Sequence, residues 1–356
     1  MSDMPKVAIV ILNYNGKHWL EKFLPSVCAT QYPNFQLIIA DNASTDESVT
    51  WLEKHYPQVS IICLEKNWGY AEGYNRSIAQ IDTNYTYCVL LNSDIAVEPN
   101  WLEELVLCME RNPNLAACQP KVLSYHQPEF FEYAGAAGGF IDALGYPFCR
   151  GRILEYIEKD TQQYNTDLKT FWASGCALMI RRELFIEIGG FEADFFAHME
   201  EIDLCWRLQR AGFDIGVCTK AIVYHVGGGT LPQGNPRKLY LNIRNNWAML
   251  FRNLAFRHWF WVFPLRSLIE NTAAMMALLK GKFSEFVTFY RAHLTMPFLF
   301  YRWIKQRQAI KRKIRAISPD PKDVSQRQTY SIVWQAKILR HRKFSELPKP
   351  TSPKLK

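Results

Sequence analysis

An α/β fold with a mostly parallel central sheet is predicted by two features of the N-terminal third of the chain. Short, continuously apolar runs alternate with helix-patterned stretches, and most of these runs end on Asn or Asp, at the edge where open α/β sheets bind ligands. Val7–Leu12, Phe35–Ala40, Val59–Leu64 and Tyr87–Leu91 are expected as buried strands, being too short for core helices and bounded by turn residues. Between and after them, the stretches near 17–29, 46–55, 70–80 and 99–111 are expected as helices. Asp46 and Glu47 suit the positive end of the second, and Pro99 suits the first turn of the fourth.

Between about 123 and 170 the periodicity dissolves into Gly-Gly, Gly-Tyr-Pro and Gly-Arg, which predicts long loops and short strands. Phe171–Ile180 is again strand-like. Arg182–Ile188 reads as a short helix stopped by Gly189-Gly190, and Glu200–Ala211 as a helix closed by Gly212. Ala221–Tyr224 is a further apolar run, followed by His225 and Gly227-Gly228-Gly229.

From Leu239 onward the pattern is helical, with Leu265, Leu268, Ile269, Thr272, Met275, Met276 and Leu279 at helical spacing among many aromatic and basic residues. Residues 1–240 are therefore assigned to the α/β domain and 241–356 to a helical, aromatic and basic extension, with a disordered tail from about 346. No window in the extension has the roughly 18–20 uncharged apolar residues of a membrane span. An amphipathic helix lying in an anionic membrane surface, or packing in a homodimer, fits instead.

Charge supports that division. From Arg302 onward there are 16 Lys/Arg against 3 Asp/Glu, a net +13 where the whole chain is +8, so residues 1–301 are net acidic. Such a tail favours an anionic partner, but it has no alternating aromatic platform, and binding to nucleic acid is not expected. The nine cysteines show no C-x-x-C spacing, which argues against a zinc ribbon or redox motif and for a reducing compartment. Val7–Leu12 is too short for a signal-peptide core. The expected location is cytoplasmic, peripheral to the inner face of the plasma membrane.

Candidate chemistry gathers at the strand ends. Asp41 can accept hydrogen bonds from a ribose or a pyrimidine N–H, or equally close an Asx-turn, and Asp46 can cap a helix. Asn67 to Arg76 contains two glycines that permit close backbone approach to a ligand. Asn92-Ser93-Asp94 ends the fourth strand. There Asp94 can ligate Mg2+ or Mn2+ on a diphosphate, and Asn92 can bind ribose or a metal-bound water. His225 can complete the coordination, and a nitrogen ligand favours manganese.

Glu200, Glu201 and Asp203 occupy the first turn of an expected helix, where its dipole alone favours acids. Glu201 shares the buried face with Leu204, Cys205 and Leu208, so an inward carboxylate there can act as general base, with Phe195 and Phe196 as an apolar wall raising its pKa. Arg76, Arg207 and Arg244 are candidates for the diphosphate charge, as well as for ordinary ion pairs.

With these residues in this order, the chain resembles the family 2 glycosyltransferases, inverting enzymes of the Rossmann-like GT-A fold, and within them the rhamnosyltransferase-like group. The residues that carry the resemblance are Val10 to Asn15, Asp41 to Asp46, Asn67 to Ala71, Asn92-Ser93-Asp94, Ser174-Gly175 through Gly189-Gly190-Phe191, Glu200 to Arg207, and Tyr224-His225. They span about residues 6–230. The resemblance implies a nucleotide-diphosphate sugar donor, a glycan or lipid-linked acceptor, and a divalent metal. It implies Asp41 at the base and Asn92 on the ribose side. Asp94 would lie at the metal and Glu201 would be the base, with Asp203 as the alternative. Asn13, Asn15, Asn67, Gly69, Arg76 and Ser93 would line the donor side. Two departures stand out: Asn92 where the family usually has Asp, and Glu200-Glu201 where it has Glu-Asp. A non-catalytic nucleotide-sugar-binding protein on the same fold is the alternative reading.

Overall fold

A computed structural model describes residues 4–227, 235–321, 324, 327–349 and 352–355, so Gly228 and Gly229 lie outside the described residues. The elements run β1 (Val7–Asn13), α1 (Lys17–Cys28), β2 (Phe35–Asp41), α2 (Ser48–His55), β3 (Ser60–Cys63), α3 (Gly69–Ala79), β4 (Tyr87–Leu91), β5 (Ile95–Val97), α4 (Trp101–Arg111) and β6 (Leu115–Ser124). Short strands follow: β7 (Gly139–Ile141), β8 (Pro147–Cys149), β9 (Arg152–Ile153), β10 (Tyr156–Ile157) and β11 (Leu168–Thr170). Then come β12 (Ala177–Arg181), α5 (Arg182–Glu187), α6 (Glu200–Arg210) and β13 (Asp214–His225). Helices α7 (Pro236–Asn253), α8 (Trp259–Leu279), α9 (Phe283–Ile317) and α10 (Ile332–Lys337) complete the order.

The main sheet has the order β11-β13-β6-β12-β4-β1-β2-β3, with β5 paired to β13. Strands β3, β2, β1 and β4 are parallel, as the alternation of runs and helices predicts. β12 runs antiparallel between β4 and β6, and β6 and β13 are again parallel. Side-chain alternation along β1 divides the core. Val7, Ile9 and Ile11 face one layer with Leu20, Leu24, Trp101 and Leu105, while Ala8 and Val10 face the other with Tyr74, Ile78, Leu204 and Leu208. Because both faces are covered, the strands read as unbroken apolar runs. The region after β6 folds into a second small sheet, β10-β9-β8-β7.

Two expectations are corrected. Phe171–Ile180 is a strand only from Ala177, because Phe171 and Trp172 donate to Gly139 O and Ser174 N–H donates to the Gln119 side chain, which bends the chain away from the ladder. The end of the chain, expected to be disordered, is seated in its described part: Leu347 is buried, Lys169 N–H donates to Pro353 O, and Leu355 lies against Gly216, whose added Cβ would be 2.8 Å from it.

The expected helix over Leu265–Leu279 forms as part of α8. Its apolar stripe points outward, with Leu268 65% and Leu279 83% exposed, while its buried face carries the ion pair Arg266–Glu270 (2.8 Å), with Trp247 Nε1 donating to Glu270. The buried charges are satisfied inside, so the apolar side chains are left outside. On α9, Leu294 and Phe298 (88%) are also exposed, as are Lys280 and Lys282 between the two helices and Lys305 on α9.

Candidate active site

β4 delivers Asn92 to the sheet edge, and the chain turns through Ser93 to Asp94 before β5 pairs antiparallel with the end of β13. That register places His225 opposite Ile95, and Val226 N–H donates to Asp94 O at 3.2 Å. Two residues far apart in sequence thereby meet. His225 Nε2 is 3.3 Å from Asp94 Oδ1 and 3.4 Å from Asn92 Nδ2. Both Asp94 and His225 are buried.

Behind the ring stands Glu132, whose Oε2 is 3.3 Å from His225 Nδ1. It comes from the segment after β6, tied to that strand by Glu132 N–H to Val122 O. Burial alone would lower the imidazole pKa, but the carboxylates of Asp94 and Glu132, each at 3.3 Å, outweigh it and raise the group to about 10, so a cation bound at Nε2 would displace a proton. A carboxylate oxygen and an imidazole nitrogen, the latter oriented from behind by a second carboxylate, are a donor set that fits a divalent cation accepting both atom types.

The second acidic group lies at the start of α6. Glu200 and Glu201 each keep one buried carboxylate oxygen without a hydrogen-bond partner among the described residues. Burial raises Glu201 to about 7, while burial and the Glu201 charge hold Glu200 well above the carboxylate range. Glu201 packs against Gly175, where an added Cβ would lie 3.6 Å from its own and 2.9 Å from the Tyr70 oxygen; Tyr70 donates to Gly175 O at 2.6 Å.

The adjoining Cys176 links the two groups. Its carbonyl accepts from Asn92 N–H, and its thiol is pushed far up by burial and by the charges of Glu132, Asp94 and Glu201. The backbone segment Gly175–Cys176 thus joins the Asn92 turn, through the Cys176 carbonyl, to Glu201, which packs on Gly175.

Asp203 is different in kind. It is fully buried and receives Arg207 Nε (2.8 Å), Arg252 Nη2 (3.3 Å) and Asn253 Nδ2 (2.7 Å). Arg207 also donates to Ile188 O and Gly190 O, and Arg244 to Asp194 O and Asn245 Oδ1, so neither guanidinium is offered to a diphosphate.

At the ends of β1 and β2, Asn13 donates to Asp41 Oδ1 (2.9 Å) and to Ser44 Oγ, and Ser44 N–H and Oγ both donate to Asp41, which closes the Asx-turn. Asn15 Oδ1 accepts from Thr45 N–H at 2.7 Å. Asn67 Oδ1 accepts from Asn42 Nδ2 and Gly69 N–H.

Two donor-side expectations change. The space at Gly69 (φ +74°) is filled by the Phe196 ring, 2.5 Å from where a Cβ would sit, so the glycine admits a side chain rather than a ligand. The Arg76 guanidinium stacks on Trp68 at 3.6 Å and pairs with Glu72 (2.9 Å) and Glu65 (3.5 Å), away from the Asp94 group. Glu132 is not singled out by the sequence, because it lies in the stretch without periodicity.

The family model for Glycosyl transferase family 2 matches residues 8–189. The chain is similar to an N-acetylglucosaminyl-diphospho-decaprenol L-rhamnosyltransferase of Mycobacterium tuberculosis, 28% identical over 77% of this chain and 92% of the relative. It is also similar to Rhamnosyltransferase WbbL of Escherichia coli, 22% identical over 58% of this chain and 78% of that one. Among solved structures, GalNAc-T7 with UDP, GalNAc and Mn2+ superposes with a TM-score of 0.54 at 14% identity, covering 71% of this chain and 48% of that one, a likeness of fold. With its sheet order, its strand-end Asn92-Ser93-Asp94 and half of its length matched by the family, the chain belongs to glycosyl transferase family 2 and is a glycosyltransferase.

Proposed function

We propose that the protein is an inverting, divalent-metal-dependent transferase that moves a hexosyl or deoxyhexosyl group from a nucleoside-diphosphate sugar to a hydroxyl of a lipid-linked glycan. The observation that carries this reading is the meeting of Asp94, His225 and Glu132 beside Asn92, whose N–H is bonded to Cys176 O, with Glu201 and its unpaired carboxylate oxygen packed on the adjoining Gly175.

Asp94 and His225 would hold Mn2+ or Mg2+, and Glu132 would fix the imidazole so that Nε2 faces the same point as Asp94. When bound, such an ion supplies positive charge to the departing diphosphate. Asn13, Asp41 and Ser44, bonded to one another at the ends of β1 and β2, would receive the base and ribose, and Asn92 would stand beside the metal pair through its contact with His225.

Glu201 takes the proton of the acceptor hydroxyl as its oxygen attacks the anomeric carbon from the face opposite the leaving group, so configuration inverts. A pKa near 7 suits that task, since about half of the groups are ionised at neutral pH and the carboxylate is basic enough to accept a proton. Asp203 is a poor base, because three donors already use its oxygens. Tyr70, held on Gly175 O, sets the wall that Glu201 packs on.

The exposed apolar side chains of α8 and α9, together with exposed Lys280, Lys282 and Lys305, support docking on an anionic membrane, which would bring the active site to a lipid-linked acceptor. No helix among the described residues is long and apolar enough to cross a membrane. The relative from Mycobacterium tuberculosis is named for a decaprenol-linked acceptor, which accords with this reading.

The test is a donor screen by mass spectrometry with thymidine-, uridine- and guanosine-diphosphate sugars, Mn2+ and lipid-extract acceptor. Turnover that is lost in Asp94→Ala and Glu201→Gln is expected, and full activity in either variant would overturn its assigned role.

A further inference from the structure

We propose that Asn245 is a positioning residue for the Glu200–Glu201 carboxylates, an inference that rests on Glu201 being the base. The segment leading into α6 is held in an unfavourable backbone shape: Phe196, His198 and Met199 all have left-handed φ, at +63°, +71° and +72°. Each bears a side chain whose Cβ disfavours that region, so the run persists only if its surroundings impose it.

Asn245 imposes it. The residue is fully buried on α7, and its Nδ2 lies 2.9 Å from Phe195 O, 2.9 Å from Ala197 O and 2.8 Å from His198 O. Its amide cannot turn over, because Oδ1 accepts from Arg244 Nε (2.9 Å) and Nη2 (2.6 Å), which leaves only the nitrogen for the carbonyls. The two N–H groups are shared among three oxygens, and the last of these belongs to the residue just before Met199, the N-cap of α6.

The same segment is held from the donor side as well. Phe196 O accepts from the N–H groups of Tyr70 (2.9 Å) and Ala71 (3.2 Å) at the start of α3, and the Phe196 ring occupies the space at Gly69. Further along α7, Asn253 holds Asp203 of α6, so the two helices are keyed together on both sides of Glu201. Asn245 therefore sets where α6 begins relative to Gly175, and with it the direction of the Glu201 carboxylate. It touches no reacting atom in this arrangement.

The experiment compares wild type with Asn245→Ala and with Asn245→Asp, which keeps the volume and the Arg244 contact but removes both donors. Fold is checked by near-UV circular dichroism and by affinity for the nucleoside diphosphate. The expected result is a fall in kcat of about 100-fold with donor KM changed by less than about threefold, since a shift on the order of 1 Å at a catalytic group has that effect. In Asn245→Ala the ascending limb of the pH–kcat profile should also move to lower pH, as water reaches Glu201. If Asn245→Ala fails to fold, the kcat and KM of Asn245→Asp decide. A kcat within about twofold of wild type overturns the inference. Glu201→Gln separates the two levels: if it is inactive while the Asn245 variants are normal, only the positioning role fails, and if it is active, the assignment of the base beneath it fails.

Discussion

Burial of Glu201 has two measurable consequences, on rate and on stability. With its carboxyl raised to about 7, close to one tenth of the enzyme carries the ionised base at pH 6 and about nine tenths at pH 8, so kcat should rise roughly tenfold between them. A carboxylate at its ordinary value, near 4.3, would give a flat profile over that range. The stability effect has the opposite sign with pH. Between about pH 4.5 and 7 the unfolded chain releases a proton that the folded chain retains, so the folded state loses stability as pH rises through this window. The full loss above pH 7 is about 3 kcal/mol. Glu201→Gln removes the titration; it should be inactive yet more stable than wild type at pH 8, with little difference at pH 4. Burial and the Glu201 charge hold Glu200 well above the carboxylate range, and Glu200→Gln should leave the limb in place if that limb belongs to Glu201. The assays are pH-resolved initial rates and urea unfolding at the two pH values. A flat kcat from pH 6 to 8, together with no gain in stability at pH 8, would refute the placement of a half-buried base with an unpaired carboxylate oxygen at this position.

Asp203→Ala should cost roughly 3–5 kcal/mol in urea unfolding, because it leaves the buried Arg207 and Arg252 guanidiniums facing each other without it; a loss under about 1 kcal/mol would contradict its structural role. Glu132→Gln should raise the Mn2+ concentration needed for half-maximal activity by about 10- to 100-fold, read from a metal titration, since the His225 ring loses its anionic support. Leu268→Glu with Leu279→Glu should abolish flotation with anionic liposomes while leaving the thermal melt unchanged, because both side chains are already in solvent; undiminished flotation would remove the α8 surface from membrane docking.

The parallel half of the sheet is legible in the sequence because its strands are covered on both faces. Tyr87–Leu91 is buried at every residue and is found with the expected ends. Asp94 and His225 are legible for a related reason, as polar residues closing apolar runs. Their adjacency is not, since it depends on β5 pairing with β13 in a register that no local pattern encodes. Glu132 lies in a stretch whose small sheet and turns carry no periodicity, so its carboxylate is indistinguishable there from a surface acid. The helical spacing of Leu265 to Leu279 correctly indicates a helix but not which way it faces: Arg266 and Glu270 turn inward because they satisfy each other and Trp247. Gly69 shows the same limit, since a glycine marks a close approach without naming what approaches. Asp203, left beside Glu201 as a candidate base, is separated from it only by Arg252 and Asn253, which arrive from a distant helix.

The measurement that bears most directly on the active site is anomalous scattering from Mn2+ in crystals grown with a nucleoside diphosphate. A peak within ligand distance of both Asp94 Oδ1 and His225 Nε2, with Glu201 facing the same cavity, is the predicted result. A manganese peak elsewhere, or diphosphate bound with Asp94 and His225 still paired only to each other, would contradict it.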